Sequence, residues 1–306
     1  MIKILVVVIL VAIIAISAVG IVDNNYGIDY GGYNSFSSSP FLTLTANITH
    51  PSPQANFTYG YASPGLWGFQ SGHGTTTMSF YSNSSVHTIV KLTNISDGIN
   101  IFAYPSIHLA YGIPMALSSV YKANLSSYVR FDVKNISNGV QNDLAYDMFL
   151  GQNGNYTSEV EIMLINTIGN YPISNQISIP IIVNGNVENV GWSLNIGASG
   201  MSDLPRYLFI TNVSISTPAS FEISFVPFLS YLQNNSYIPP SDSILRIGIG
   251  SEFVSIFQPH SYFSGTFDYS FWLYSYFVIN GTDYQIVHPA GNTTQPINPP
   301  ILEARP

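Results

Sequence analysis

"SEVEIMLINTIGNYPIS", residues 158–174, is the stretch on which the architecture turns. Only 8% of the chain is charged, yet two glutamates stand two positions apart inside an apolar run. Successive side chains of a strand face opposite ways. A strand here sends Val160, Ile162 and Leu164 into a core and lines its other face with Glu159, Glu161 and Met163. That second face needs a purpose.

Outward from this stretch the same texture continues. From about 41 to 280, short β-favouring runs alternate with turn signals, among them "TTTMSFYS", "HTIVKLTNI", "AYDMFL", "ISIPIIVNG", "RYLFITNVSI" and "SILRIGIGSEFV". Many strands at such spacing predict an all-β sandwich or barrel rather than βαβ units. No fixed-period repeat is present, which disfavours a propeller or solenoid. One segment departs from the pattern. "FVPFLSYLQNN", residues 225–235, sets Phe225, Phe228, Leu229 and Leu232 at helical spacing, with Pro227 tolerable in a first turn. It predicts a single helix on the outside of a sheet.

Composition narrows the function. The chain of 306 residues is 46% hydrophobic, enough for a substantial core. Net charge is −8, and the 8 basic residues are scattered, so nothing neutralises a phosphate backbone and nucleic acid is excluded as a partner. Without cysteine there is no disulfide, thiolate metal site or cysteine nucleophile. The six histidines show no H-x-H or H-E-x-x-H spacing, so no metal is expected.

The N-terminus carries an address. Residues 1–22 hold the uncharged run "ILVVVILVAIIAISAVGIV" after Lys3, long enough to span a bilayer and placing the remainder outside the cell. Ala18 and Gly20 permit cleavage, so a removed signal peptide and a retained anchor both stay open. Residues 23–40 read as a linker, and 281–306 as a tail that begins strand-like and ends rich in proline. Sequons at Asn47, Asn56, Asn83, Asn94, Asn124, Asn135, Asn155, Asn212, Asn234, Asn280 and Asn292 suit a glycan-covered outer surface. The expected protein is extracellular and monomeric, touching membrane only through its first segment.

Most of the 16 acidic residues lie in turns, and Asp97, Asp203, Asp242 and Asp283 read as turn or cap groups. Glu161, Asp147 and Glu252 instead interrupt strands. Asp147 shares a face with Phe149, opposite Tyr146, Met148 and Leu150. Arg246, Gly248, Gly250 and Glu252 share a face, with Leu245, Ile247, Ile249 and Phe253 directed inward. Glycine often marks close approach by another molecule. The strand therefore reads either as the cleared floor of a cleft or as a solvated face with an exposed glutamate. Two carboxylates across a cleft can hydrolyse a glycosidic bond, one as acid and the other as nucleophile or base. The 21 Tyr and 3 Trp could furnish stacking platforms for sugars.

These residues, in order, resemble a known family. "AYDMFL", then "EVEIML" and "YPIS", with "IGSEFV" some ninety residues on, is similar to glycoside hydrolase family 12. "GLWG", "AYP" beside "GIPMALSS", "VNGNVENVGWSLNIG" and "FLSYLQNN" extend the likeness across roughly residues 41–279. The resemblance implies a β-jelly-roll sandwich of two antiparallel sheets with a concave substrate cleft and one short α-helix. It implies a retaining endo-β-1,4-glucanase without cofactor, acting on β-glucan. By the same resemblance Glu161 is the nucleophile, Glu252 the acid/base, Asp147 a supporting group beside the nucleophile, and Trp67 and Met163 substrate-binding residues. Glu159 is then a bystander at the cleft rim. Gly65, Asp143, Ile165 and Val254 depart from the family pattern at sugar-contacting or supporting positions. A non-catalytic sugar-binding or cell-surface jelly-roll remains the rival reading, and a structural envelope protein a third.

Overall fold

A computed structural model describes residues 39–66, 71–82, 85–96, 101–167, 175–198, 204–212, 215–255, 262–279 and 282–284. The N-terminal segment 1–22, nearly all of the linker, most of the tail and Trp67 lie outside them. Among the described residues no helix is long and apolar enough to cross a membrane.

The strands form two layers. One runs Leu42–Asn47, Ser71–Phe80, Ser85–Ser96, Phe263–Ile279, Ser126–Ile136 and Ala219–Ser224, in hydrogen-bonded order. The other runs Asn175–Val183, Asn186–Ala198, Pro205–Thr211, Asn155–Asn166, Val140–Gln152, Ser243–Gly250, Ser106–Leu109 and Gly60–Ser63. A two-residue pairing, Ile182 with Glu222 and Val183 with Phe221, joins them. The fold is all-β, a jelly-roll sandwich. The sheets are not wholly antiparallel, however. The Glu161 strand lies parallel to Pro205–Thr211, because the hairpin Asn175–Ala198 is the crossover a parallel pair requires.

Alternation decides the core. Val160, Ile162 and Leu164 are fully buried between the layers, as are Tyr146, Met148, Trp192 and Phe209 of the same sheet. Phe80, Phe131, Phe267 and Tyr269 meet them from the other layer. Each such side chain contributes about 1.5–3 kcal/mol by leaving water. Polar tips find partners: Tyr146 Oη donates to Ser127 Oγ across the sandwich at 2.8 Å, and Trp192 Nε1 donates to Ile179 O at 3.0 Å. On the Glu252 strand, Ile247, Ile249 and Phe253 turn inward as expected. Leu245 does not. A register shift beside Phe149 hands its place to fully buried Ile244.

Among the described residues there are two short helices rather than one. Val226–Asn234 matches the expected segment, with Pro227 in its first turn and Phe228, Leu229 and Leu232 buried. It caps the core instead of lying outside a sheet: Phe228 meets Trp192 edge-on at 4.8 Å and Phe209 at 5.1 Å. The second, Leu117–Ala123, buries Leu117, Val120 and Ala123 and ends at Asn124 in the left-handed region. Two turns are too few for a periodic signal to emerge from sequence.

Candidate active site

The hairpin carrying Asp147 and Glu161 is built from a turn and a bulge. Asn153 and Gly154, both at positive φ, close a two-residue loop between Gln152 and Asn155. Continued without interruption, that register would set Asp147 opposite Val160 and Glu161 opposite Tyr146. One extra residue, Thr157, intervenes: Gly151 pairs with Tyr156 but Leu150 with Ser158. Beyond the bulge Asp147 stands opposite Glu161 and Phe149 opposite Glu159. Gly151 is required there, because a β-carbon would collide with Asn155 O. Asp242, read from sequence as a turn residue, is fully buried and anchors the bulge: it accepts from Thr157 Oγ1 at 2.8 Å and Gln152 Nε2 at 2.9 Å.

Residues facing away from the core fall in three rows across the sheet. The middle row is Tyr61, His108, Gly248, Asp147, Glu161, Leu208 and Asn195. On one side lie Arg246, Phe149, Glu159, Arg206 and Gly197. On the other lie Ser63, Ser106, Gly250, Ala145, Met163, Ile210 and Ser193. One flank is therefore charged and aromatic and the other uncharged.

The glycines are not a cleared floor. A β-carbon on Gly248 would strike the His108 ring, and one on Gly250 the Tyr104 ring. Both positions are stripped so that His108 of the neighbouring strand and Tyr104, just before that strand, can lie over them. His108 stacks on Tyr61 at 4.6 Å, contacts Ser106 Oγ at 2.8 Å, and has the Arg246 guanidinium at 3.3 and 3.5 Å from its ring nitrogens. Burial, then Arg246, holds His108 well below the ordinary histidine range and therefore neutral. Arg246 in turn lies over the Phe149 ring at 5.4 Å.

Glu252 follows the last strand residue, Gly250, on a short link. Its backbone N–H donates to Asp143 Oδ1 at 2.7 Å, and Ser251 Oγ donates to Asp143 O. Asp143 is fully buried, so a carboxyl with no solvent contact orients the segment bearing Glu252. Glu252 itself is half-buried and Glu161 is 5% exposed. Glu159, expected at the rim, is 7% exposed. Single oxygens of Asp147, Glu159 and Glu161 all lie within 4.8 Å of one another. Among the described residues this is the one acidic group with spacing for a cation, and Arg206 and Arg246 already bring positive charge to it.

Crowding and burial shape the proton affinities. Glu161 is raised well above the carboxylate range by burial, then by Asp147 and Glu252, with Arg206 opposing. Glu252 is raised by burial, then by Asp143 and Asp147. Asp143 is raised by burial and by Glu161. Asp147 is pushed up to about 7 by burial and then by Glu159, with Arg246 and the Tyr104 hydroxyl pulling it down. So many carboxyls in one enclosed space cannot all be ionised. Burial and mutual repulsion both push these carboxyls toward their protonated forms, the direction that suits a group able to act as an acid.

Glu161, Asp147 and Glu252 are thus brought together. Met163 reaches the same face but is 1% exposed, packed with Ala145, Leu208 and Ile210 in a small apolar cluster. Arg206, His108 and Tyr104 carry no role in the sequence reading, Asp143 appears there only as a departure from the family pattern, and Glu159 only as a bystander at the rim. Arg206 and Arg246, inside strands of a chain with only 8 basic residues, were the available signal.

Carboxyls gathered on one face of a sandwich are a grouping that glycoside hydrolysis can use. The sequence profile of glycosyl hydrolase family 12 matches residues 61–264, and the chain belongs to that family. A family 12 xyloglucanase from Bacillus licheniformis shares the fold, with TM-score 0.55 and 18% identity over 79% of this chain and 100% of that one. So does endoglucanase 3 of Trichoderma harzianum, with TM-score 0.55 and 22% identity over the same shares. No curated protein sequence matches the chain.

Proposed function

We propose that the protein is an exported, retaining endo-β-1,4-glucanase in which Glu161 is the nucleophile and Glu252 the acid/base. The observation that carries this reading is the pairing of Asp147 with Glu161, with Glu252 tied by its backbone N–H to Asp143 on the Asp147 strand. In the first step a Glu161 oxygen attacks the anomeric carbon, the glycosidic C–O bond breaks, and Glu252 gives its proton to the leaving oxygen. In the second step Glu252 takes a proton from water, the water oxygen bonds to the anomeric carbon, and the ester to Glu161 breaks. Arg206 favours the ionised nucleophile, and the raised proton affinity of Glu252 suits it to start as the acid.

A cellulose-like or mixed-linkage β-glucan is the proposed substrate, with xyloglucan next. Export is supported by the apolar N-terminal run and by the sequon asparagines: 47, 56, 94, 124, 135, 155, 212 and 234 are all exposed or half-buried. The deciding experiment is reducing-sugar release from soluble β-glucan. Wild type should release sugar and Glu161→Gln should lose at least about a thousandfold in kcat, in line with removal of a covalent nucleophile. Binding of glucan without release by wild type would instead establish the sugar-binding reading.

A further inference from the structure

Glu159 sits where a rim residue would not. Its carboxylate lies within 4.8 Å of those of Asp147 and Glu161, between Phe149 on one strand and Arg206 on the next. Its Oε2 is enclosed and accepts no hydrogen bond among the described residues. The Nε of Arg206 is likewise enclosed and unpartnered among them, so the arginine does not satisfy that oxygen. A buried acceptor without a donor is costly. One neighbour able to supply the missing donor is Asp147, once its carboxyl carries a proton.

We propose that Glu159 is a positioning residue for the reaction: it keeps a proton on Asp147 and offers that proton a second acceptor while Glu161 is esterified. This rests on the roles proposed above for Glu161 and Glu252. In the free enzyme the Asp147 hydroxyl donates to ionised Glu161. Bonding to the sugar removes the charge of Glu161, and the hydroxyl turns to Glu159 Oε2. When water cleaves the ester, the carboxylate of Glu161 returns and regains its donor. The proton stays on Asp147 throughout, so nothing is gained or lost from the three groups.

The surroundings fit this arrangement. Facing Glu159 are Asp147 from the Val140–Gln152 strand, Glu161 on its own strand and Arg206 from Pro205–Thr211. Arg246 lies beyond Phe149, Glu252 follows the adjoining strand, and the Tyr104 hydroxyl acts on Asp147. After burial, the charge of Glu159 is the largest cause holding Asp147 up to about 7.

Carboxyl-labelled carbon NMR of the full chain tests the assignment, since 16 acidic residues are few enough to resolve. In Glu159→Gln the Asp147 titration should move to lower pH by about one to two units, and in Glu159→Asp by less than about half a unit. The alkaline limb of kcat/KM against pH should also move acidward in Glu159→Gln, because a charge that raises Glu252 is gone. Glu159→Asp should restore it. An unmoved Asp147 titration overturns the proposal. A moved titration with an unmoved rate profile overturns it too, leaving Glu159 a structural charge. If wild type cleaves no glucan, the catalytic reading falls, while the NMR titration still decides where the proton resides.

Discussion

Replacing Asp242 with alanine should damage the site from the opposite end of its hairpin. The carboxylate accepts from Thr157 Oγ1 at 2.8 Å and Gln152 Nε2 at 2.9 Å, and it is fully buried. Hydrogen bonds to a charged group contribute about 1.5–3 kcal/mol each, a gross loss of about 3–6 kcal/mol. Both donors keep a secondary acceptor, Leu150 O at 3.3 Å for Thr157 and Ser241 Oγ at 2.9 Å for Gln152. The net loss should then be about 2–4 kcal/mol, or roughly 5–15 °C in Tm for a domain of this size. Denaturant unfolding measures the loss, and hydrogen exchange across residues 155–163 locates it. Thr157→Val should cost less, and the double variant less than the sum of the two, because both remove the same bond. Additive single effects, or a Tm unchanged by Asp242→Ala, would refute the view that Asp242 holds the bulge.

Two further outcomes follow from the packing and the carboxyls. Gly248→Ala should destabilise the protein by about 1–3 kcal/mol through collision with the His108 ring, and the same change in a His108→Ala background should be nearly neutral; equal costs in both backgrounds would exclude His108 as the obstructing group. Folding raises the Asp147 pKa from 3.8 to about 7, so the folded chain binds more protons than the unfolded one between those values. Stability from Asp147 is therefore present below about pH 4 and lost as pH rises through 7. The stability of wild type relative to Asp147→Asn should improve by about 2 kcal/mol from pH 7 to pH 5, read by urea unfolding; a relative loss on acidification would contradict the shift.

The sandwich, the helix at Val226–Asn234 and the inward set Val160, Ile162 and Leu164 were legible because alternation and helical spacing are local properties of the chain. Glu161, Asp147 and Glu252 were legible as carboxylates interrupting apolar strands. Gly248 and Gly250 were misread because what fills a glycine's missing side chain comes from a distant part of the chain, here His108 and Tyr104. Glu159 was misplaced for a similar reason: exposure is set by the neighbours Phe149 and Arg206, some ten and forty-seven residues away.

By itself the sequence determined that Asp147 interrupts one apolar run and Glu159 and Glu161 another, each set on one face of its own strand. It did not determine that the two sets of carboxylates share a face. Continuing the turn register pairs odd with even residues and would turn Glu161 away from Asp147. Only the extra residue at Thr157, held by Asp242 from 85 residues later in the chain, brings odd against odd. The physical reason is the two-residue period of a strand: a slip of one position moves every side chain to the opposite face. A contact distant in sequence therefore decides whether these acids form one site.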